Sequence, residues 1–198
     1  SMSGAIFGGD EIGALVLDVG SYTTRAGFAG QDRPEIDIPT FMGFRRSGNF
    51  VISDPKFPNY LCGMNQISAV NENTEIINPL KDGNISDWDA YEALLNHVFY
   101  HQLHVVPDEH PILISEQPSS PPSQRETLSE LLFEKFCVTA LYMAKAPVLS
   151  SFAHGKSTSL VIDSGYSFTS VTPVVDGYAL KKSTIHVPLA GSFLADKC

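Results

Sequence analysis

An α/β domain built on a mixed sheet is the fold class this sequence predicts, from three observations. Short apolar runs of strand character alternate with amphipathic helical stretches along most of the 198 residues. Two segments offset by 145 residues repeat one pattern: apolar strand, Asp, one residue, Gly. The composition, 43% hydrophobic and 18% charged, is that of a chain that buries a core, not of a disordered or coiled-coil one.

The elements follow in order. Residues 13–19 read as a buried strand ending at Asp18 and Val19, and residues 23–29 as its hairpin partner. Residues 40–78 are rich in Asn, Gly, Pro and Ser with weak periodicity, and read as an irregular insertion or small mobile subdomain. A helix is expected from Ser86, with Ser86 and Asp89 at cap and N3 spacing. Its apolar face is Tyr91, Leu94, Leu95, Val98 and Phe99. Residues 111–115 form a short strand. Ser123-Gln124-Arg125-Glu126 then reads as a capping box, opening a helix with a stripe of Leu128, Leu131, Leu132 and Phe136. Residues 138–143 are a further strand. A helix with Pro147 at its start and Gly155 just past its end follows. Strands over 159–163 and 171–175, an Asp176-Gly177 turn and a strand from Tyr178 complete the pattern.

Net charge is −9, from 13 basic and 22 acidic residues, and the longest basic run is Arg45-Arg46. Direct DNA binding through a broad basic face is disfavoured, because phosphate neutralisation needs clustered Lys and Arg. No apolar run approaches the roughly 20 residues that span a bilayer, so no membrane partner is expected. The N-terminal stretch lacks the basic and apolar regions of a secretory signal. Cys62, Cys137 and Cys198 are widely spaced, with no paired or zinc-binding pattern, which fits a reducing compartment. Cys137 follows an apolar helix face and reads as a small core residue. Trp88 reads as a core anchor. His97, His101 and His104 have helical spacing that suggests a metal site only weakly.

The repeated hairpins carry the chemistry. Leu15-Val16-Leu17-Asp18-Val19-Gly20-Ser21 parallels Leu160-Val161-Ile162-Asp163-Ser164-Gly165-Tyr166. Glycine permits close backbone approach, turn N–H groups can cradle an anion, and a strand-end Asp can hold hydrated Mg²⁺. Two such turns facing each other would grip a nucleotide triphosphate from both sides. A P-loop and a GxGxxG motif are both absent.

These hairpins and their surroundings resemble actin and the actin-related proteins. The carriers are VLDVGSYTTRAGFAGQDRP, HVFYHQLHVVPDEHPILISEQP, SQRETLSELLFEKF, VLSSFAHG and LVIDSG. The N-terminal GGDEIGALVLDVGSYTTRAG is similar to the nuclear subfamily, the fourth class, of chromatin-remodelling and histone-acetyltransferase complexes. The resemblance implies an actin-like ATPase (ribonuclease H-like) fold: the N-terminal lobe plus the start of the second. Residues 1–39 and 79–153 would form most of the first large subdomain, 40–78 the small subdomain, and 154–198 the opening of the second lobe.

By the same resemblance, Gly20, Ser21, Tyr22 and Arg25 belong to the first phosphate loop, with Arg25 in the place of a lysine. Ser164, Gly165 and Tyr166 belong to the second. Asp18 and Asp163 match the aspartates that hold Mg²⁺ or Ca²⁺ through water. Val148, Phe152 and Gly155 match the groove where partners lay an apolar helix face. The departures are Tyr166-Ser167 in place of Asp-Gly, Ala146 in place of the water-orienting glutamine, Ser170 in place of the assisting histidine, and Asp82 in place of a modifiable histidine.

The implied function is a non-catalytic nuclear subunit that binds ATP with little or no hydrolysis. Its implied partners are actin, the scaffold helix of a remodelling ATPase or acetyltransferase-complex subunit, and other complex subunits. The alternative is an actin-like cytoskeletal ATPase that turns over slowly or polymerises. With much of the second lobe absent from these residues, tight nucleotide binding by this stretch alone is not expected. Apolar surface left open there invites self-association.

Overall fold

The computed structural model describes residues 13–46, 54–63 and 74–198. The first sheet has five strands. The hairpin β1 (Leu15–Val19) and β2 (Thr23–Phe28) is antiparallel, and β3 (Ile36–Pro39) continues it on the β2 side. Farther along the chain, β9 (Pro111–Glu116) pairs parallel with β1, and β10 (Ala140–Lys145) pairs parallel with β9. The order is β10-β9-β1-β2-β3, a mixed sheet as expected.

Between these strands lie three short ones: β4 (Met42–Phe44), β5 (Tyr60–Leu61) and β6 (Glu75–Ile77). They form a separate small sheet, β5-β4-β6. The described part of 40–78 thus combines short paired strands with irregular segments. Strands of two or three residues are too short to show a period of two. Part of that expectation lies in 47–53 and 64–73, outside the described residues. A tight hairpin follows, β7 (Leu80–Lys81) and β8 (Asn84–Ile85). Its turn residues Asp82 and Gly83 have φ of 50° and 75°, the left-handed pair that such two-residue turns require.

Helix α1 (Trp88–Asn96) is capped by Asp87, not Ser86: the Asp87 carboxylate accepts from the Ala90 N–H at 3.0 Å. Ser86 instead donates to the Pro79 carbonyl, and so belongs to the preceding turn. The chain continues as a π-helical stretch over residues 97–102. Helix α2 (Pro122–Glu130) starts one residue before the proposed capping box, with Pro122 in its first turn and Pro121 as an uncapped N-terminal residue. The box does not form, because proline's fixed φ starts the helix before Ser123 can serve as cap. The stripe is nonetheless right: Leu128, Leu131, Leu132 and Phe136 are buried with Tyr91, Leu95, Val98 and Phe99 against Leu15, Leu17, Ile112 and Ile114. Trp88 is half-buried at the rim of that core. Cys137 corrects another expectation. It is exposed, with φ of 54°, because the chain reverses there to enter β10 and turns the side chain outward.

Helix α3 (Ala146–Ala153) carries Pro147 in its first turn, and Gly155 follows at φ 66°. The second sheet contains β11 (Ser159–Ser164), β12 (Thr169–Val175), β13 (Tyr178–Ala179) and β14 (Ile185–Val187). β12 is central: β11 pairs along one edge, β13 and β14 along the other. A short helix α4 (Gly191–Ala195) closes the chain. No described helix is long and apolar enough to cross a membrane.

Candidate functional site

The two hairpins repeat in three dimensions as they do in sequence. In the first, Asp18 lies opposite Arg25, and the Gly20 N–H donates to the Thr23 carbonyl at 3.0 Å. In the second, Asp163 lies opposite Ser170, and the Gly165 N–H donates to the Phe168 carbonyl at 3.2 Å. Each turn is therefore closed by the same glycine-to-third-residue bond. At Gly20 a Cβ would fall 2.9 Å from the Thr23 carbonyl, so no other residue fits that turn unchanged.

The first turn is braced from below. Thr40 donates to the Gly20 carbonyl at 2.6 Å, and its N–H donates to the Tyr22 carbonyl at 2.9 Å. The Thr24 and Thr40 hydroxyls, both buried, share a bond of 2.9 Å. Asn78 donates to the Ser21 carbonyl at 2.6 Å while accepting from the Leu80 N–H. The second turn is braced by the start of α4: the Gly191 N–H donates to the Gly165 carbonyl at 3.0 Å, and the Ser192 N–H to the Tyr166 carbonyl at 2.8 Å. Loops fixed on both sides in this way need little reordering to hold a ligand.

Between the turns lies an open cleft of about 400 Å³. Of the sequence-derived residues, Asp18, Gly20, Ser21, Tyr22, Arg25, Asp163, Ser164, Gly165 and Tyr166 all line it. Ala146 lines it too, at the first turn of α3. Ser170 is buried beneath the floor of the second turn. Partial burial, and then the negative charge of Asp18, hold the Asp163 carboxyl above its usual range. Two carboxylates crowding one opening form a donor set for a hydrated divalent cation, which would relieve that repulsion. Arg25 stands beside the cleft, bound through Nε to Asp37 of β3 at 3.0 Å. Both partners are exposed, so this pair is easily exchanged for an anionic ligand.

Five residues of the site escape sequence reasoning. Ser115 donates to Asp18, and Thr23, Gln117, Ser150 and Phe168 line the cleft. Ser115 lies in β9 and Gln117 just past its end, and the parallel pairing sets β9 beside β1. The only local signal for them is their place at the end of the PILIS run.

The groove candidates are less gathered. Val148 is half-buried on α3, Phe152 is 54% exposed, and Gly155 is exposed past the helix end. The Phe152 ring covers Gly177 of the β12–β13 turn, where a Cβ would come within 2.9 Å of it. The three histidines hold no metal arrangement. His97 stacks on His101, His101 pairs with Asp54, and His104 bonds the Tyr100 carbonyl. Among the described residues no cluster of three or more His, Cys, Asp or Glu is placed for a metal ion.

Comparison with known proteins agrees with this geometry. Residues 9–198 match the actin family. The chain is 39% identical to "Actin-related protein 4" of Arabidopsis thaliana over 211 aligned residues, covering 96% of this chain and 48% of that one. It is 38% identical to the protein of that name from Oryza sativa subsp. japonica, with the same coverage. It is 39% identical to that from Candida albicans, covering 97% of this chain and 39% of the relative. The chain spans about half the length of the plant relatives it matches. With its mixed sheet, twin Asp-x-Gly turns and end-to-end match, the chain belongs to the actin family.

Proposed function

We propose that this chain is the nucleotide-gripping part of a nuclear actin-related protein, a non-catalytic subunit of chromatin-remodelling and histone-acetyltransferase complexes. In this reading the two turns hold the phosphates of ATP. Asp18 and Asp163 hold Mg²⁺ or Ca²⁺ through water, which supplies charge neutralisation when bound. Arg25 leaves Asp37 to meet a phosphate. Membership of the actin family and similarity to actin-related protein 4 of plants and a fungus support the reading.

The observation that carries the non-catalytic part is Ala146. Hydrolysis needs a side chain that orients the attacking water. Ala146 stands in the cleft wall with a methyl group, which neither donates nor accepts. Ser170, at the other position where assistance is expected, is buried under the turn. The nucleotide then acts as a structural ligand. Val148, Phe152 and Gly155 would receive the scaffold helix, with actin as the neighbouring subunit.

The complete protein incubated with Mg²⁺ and ATP, followed by phosphate release and sedimentation, tests this. ATP retained, with neither phosphate release nor filaments in the pellet, is the expected result. Release at an actin-like rate, or pelleting filaments, would return the cytoskeletal ATPase reading.

A further inference from the structure

Tyr22 and Tyr166, each backed by one further residue, meet across the cleft. Tyr22 of the first turn and Tyr166 of the second meet with ring centroids 5.0 Å apart and planes tilted by 38°. Phe41 stands behind Tyr22, its centroid 5.5 Å away. Gly191 stands behind Tyr166, so close that a Cβ there would lie 3.3 Å from the ring. Both tyrosines line the cleft, and both stay partly wet, at 52% and 39% exposed. A pair serving only as core would be sealed from water. These rings are instead held from opposite walls and touch across the opening. Tilted aromatic pairs at this separation attract beyond the area they bury, and tyrosine loses little rotamer freedom when fixed.

We infer that Tyr22 and Tyr166 form an aromatic gate over the anion site, which a polyphosphate carrying a divalent cation must part. The inference rests on the phosphate reading of the cleft. A phosphate gripped by both turns lies between residues 20–22 and 164–166, and the two rings occupy that approach. Without ligand, the two rings rest against each other between the braced turns. On ligand entry, that contact is the cost of opening. The gate therefore weakens binding relative to a chain that lacks one ring.

The test is titration of the 198-residue chain with Mg²⁺–ATP and with Mg²⁺–pyrophosphate, followed by NMR shifts into the millimolar range. Tyr166→Ala and Tyr22→Ala are expected to bind about 3–10-fold more tightly, the size of one aromatic contact. Tyr166→Phe, which keeps the ring, is expected to fall back to the wild-type affinity. Equal or weaker binding by folded Tyr166→Ala overturns the gate and leaves the phosphate reading standing. Binding of neither probe by any of these proteins removes the phosphate reading, and the gate with it. If the alanine variants unfold, the wild-type chain decides: nuclear Overhauser contacts between the two rings that persist at saturating probe overturn the gate, and their loss supports it.

Discussion

Leu17 and Ile162 hold the same place in two hairpins offset by 145 residues, yet Leu17 is fully sealed and Ile162 is 68% exposed. Leu15 and Leu160 repeat the contrast, at 0% and 63%. The cause is what surrounds each hairpin, above all what covers the face that these side chains share. β1 has β9 beside it and helices over it, whereas β11 pairs with β12 alone among the described residues. An open strand edge with apolar side chains is a template for pairing with another chain. The 198-residue chain is therefore expected to self-associate as concentration rises. Leu160→Thr with Ile162→Thr should shift it toward monomer. Sedimentation velocity over a concentration series reads this directly, and a wild-type chain that stays monomeric throughout would contradict it.

Asp163 stabilises the fold less when charged than when protonated. Partial burial, and then Asp18, raise its folded pKa above the unfolded value. The folded state thus binds more protons, and stability is lost as pH rises from the usual carboxylate range through the raised folded value. At neutral pH, Asp163→Asn should make the ligand-free chain slightly more stable, by about 0.5 kcal/mol or less because water reaches the group. The same change should weaken divalent-cation-dependent nucleotide binding. Thermal melts with and without Mg²⁺–ATP measure both effects. A loss of stability in the ligand-free melt would argue against the like-charge account.

Legibility follows the range of each interaction. Asp18, Gly20, Asp163 and Gly165 can be read directly because strand, carboxylate and glycine lie within seven consecutive residues. The stripe from Leu128 to Phe136 is legible for the same reason, through its helical period. The cap at Asp87 is not, because Ser86, Asp87 and Asp89 compete and Pro79 settles the matter by accepting from Ser86. Ser115 reaches Asp18 only through a parallel pairing 97 residues apart in sequence. The repeated pattern relates the turns that carry Tyr22 and Tyr166, but it does not show that the two rings touch.

His97 should give the chain an acid limb. Burial, and then the neighbouring His101, push its pKa down to about 4. In the unfolded chain it titrates near 6.5, so between these values the unfolded state binds more protons and stability falls as pH falls. The loss amounts to roughly 3 kcal/mol at most across that window. The groups facing it are His101, Asp54 and Gln102. Burial opposes the charge of Asp54, but bonds from His101, the Lys56 N–H and Asn96 outweigh it and keep that carboxylate below its usual value. Its contribution is therefore lost at lower pH than that of His97. Urea denaturation from pH 7 to 4 should show the decline in the wild type and a flatter profile in His97→Gln. Parallel profiles would assign the acid limb elsewhere.

Gly83 and Phe168 should prove energetically coupled. Gly83 sits at φ 75° in the β7–β8 turn, and a Cβ there would come within 2.7 Å of the Phe168 ring. Alanine at this position meets two penalties: a left-handed backbone, costing about 1 kcal/mol, and a clash with a ring packed from the second hairpin. Gly83→Ala is expected to destabilise the chain by roughly 2–3 kcal/mol. Phe168→Ala removes the clash but leaves the backbone penalty. In a double-mutant cycle by urea denaturation, Gly83→Ala should therefore cost about 1 kcal/mol in the Phe168→Ala background. Additive losses would mean that the turn yields freely to a methyl group. The β7–β8 hairpin would then not be pressed against the turn after β11 that carries Tyr166 and Phe168.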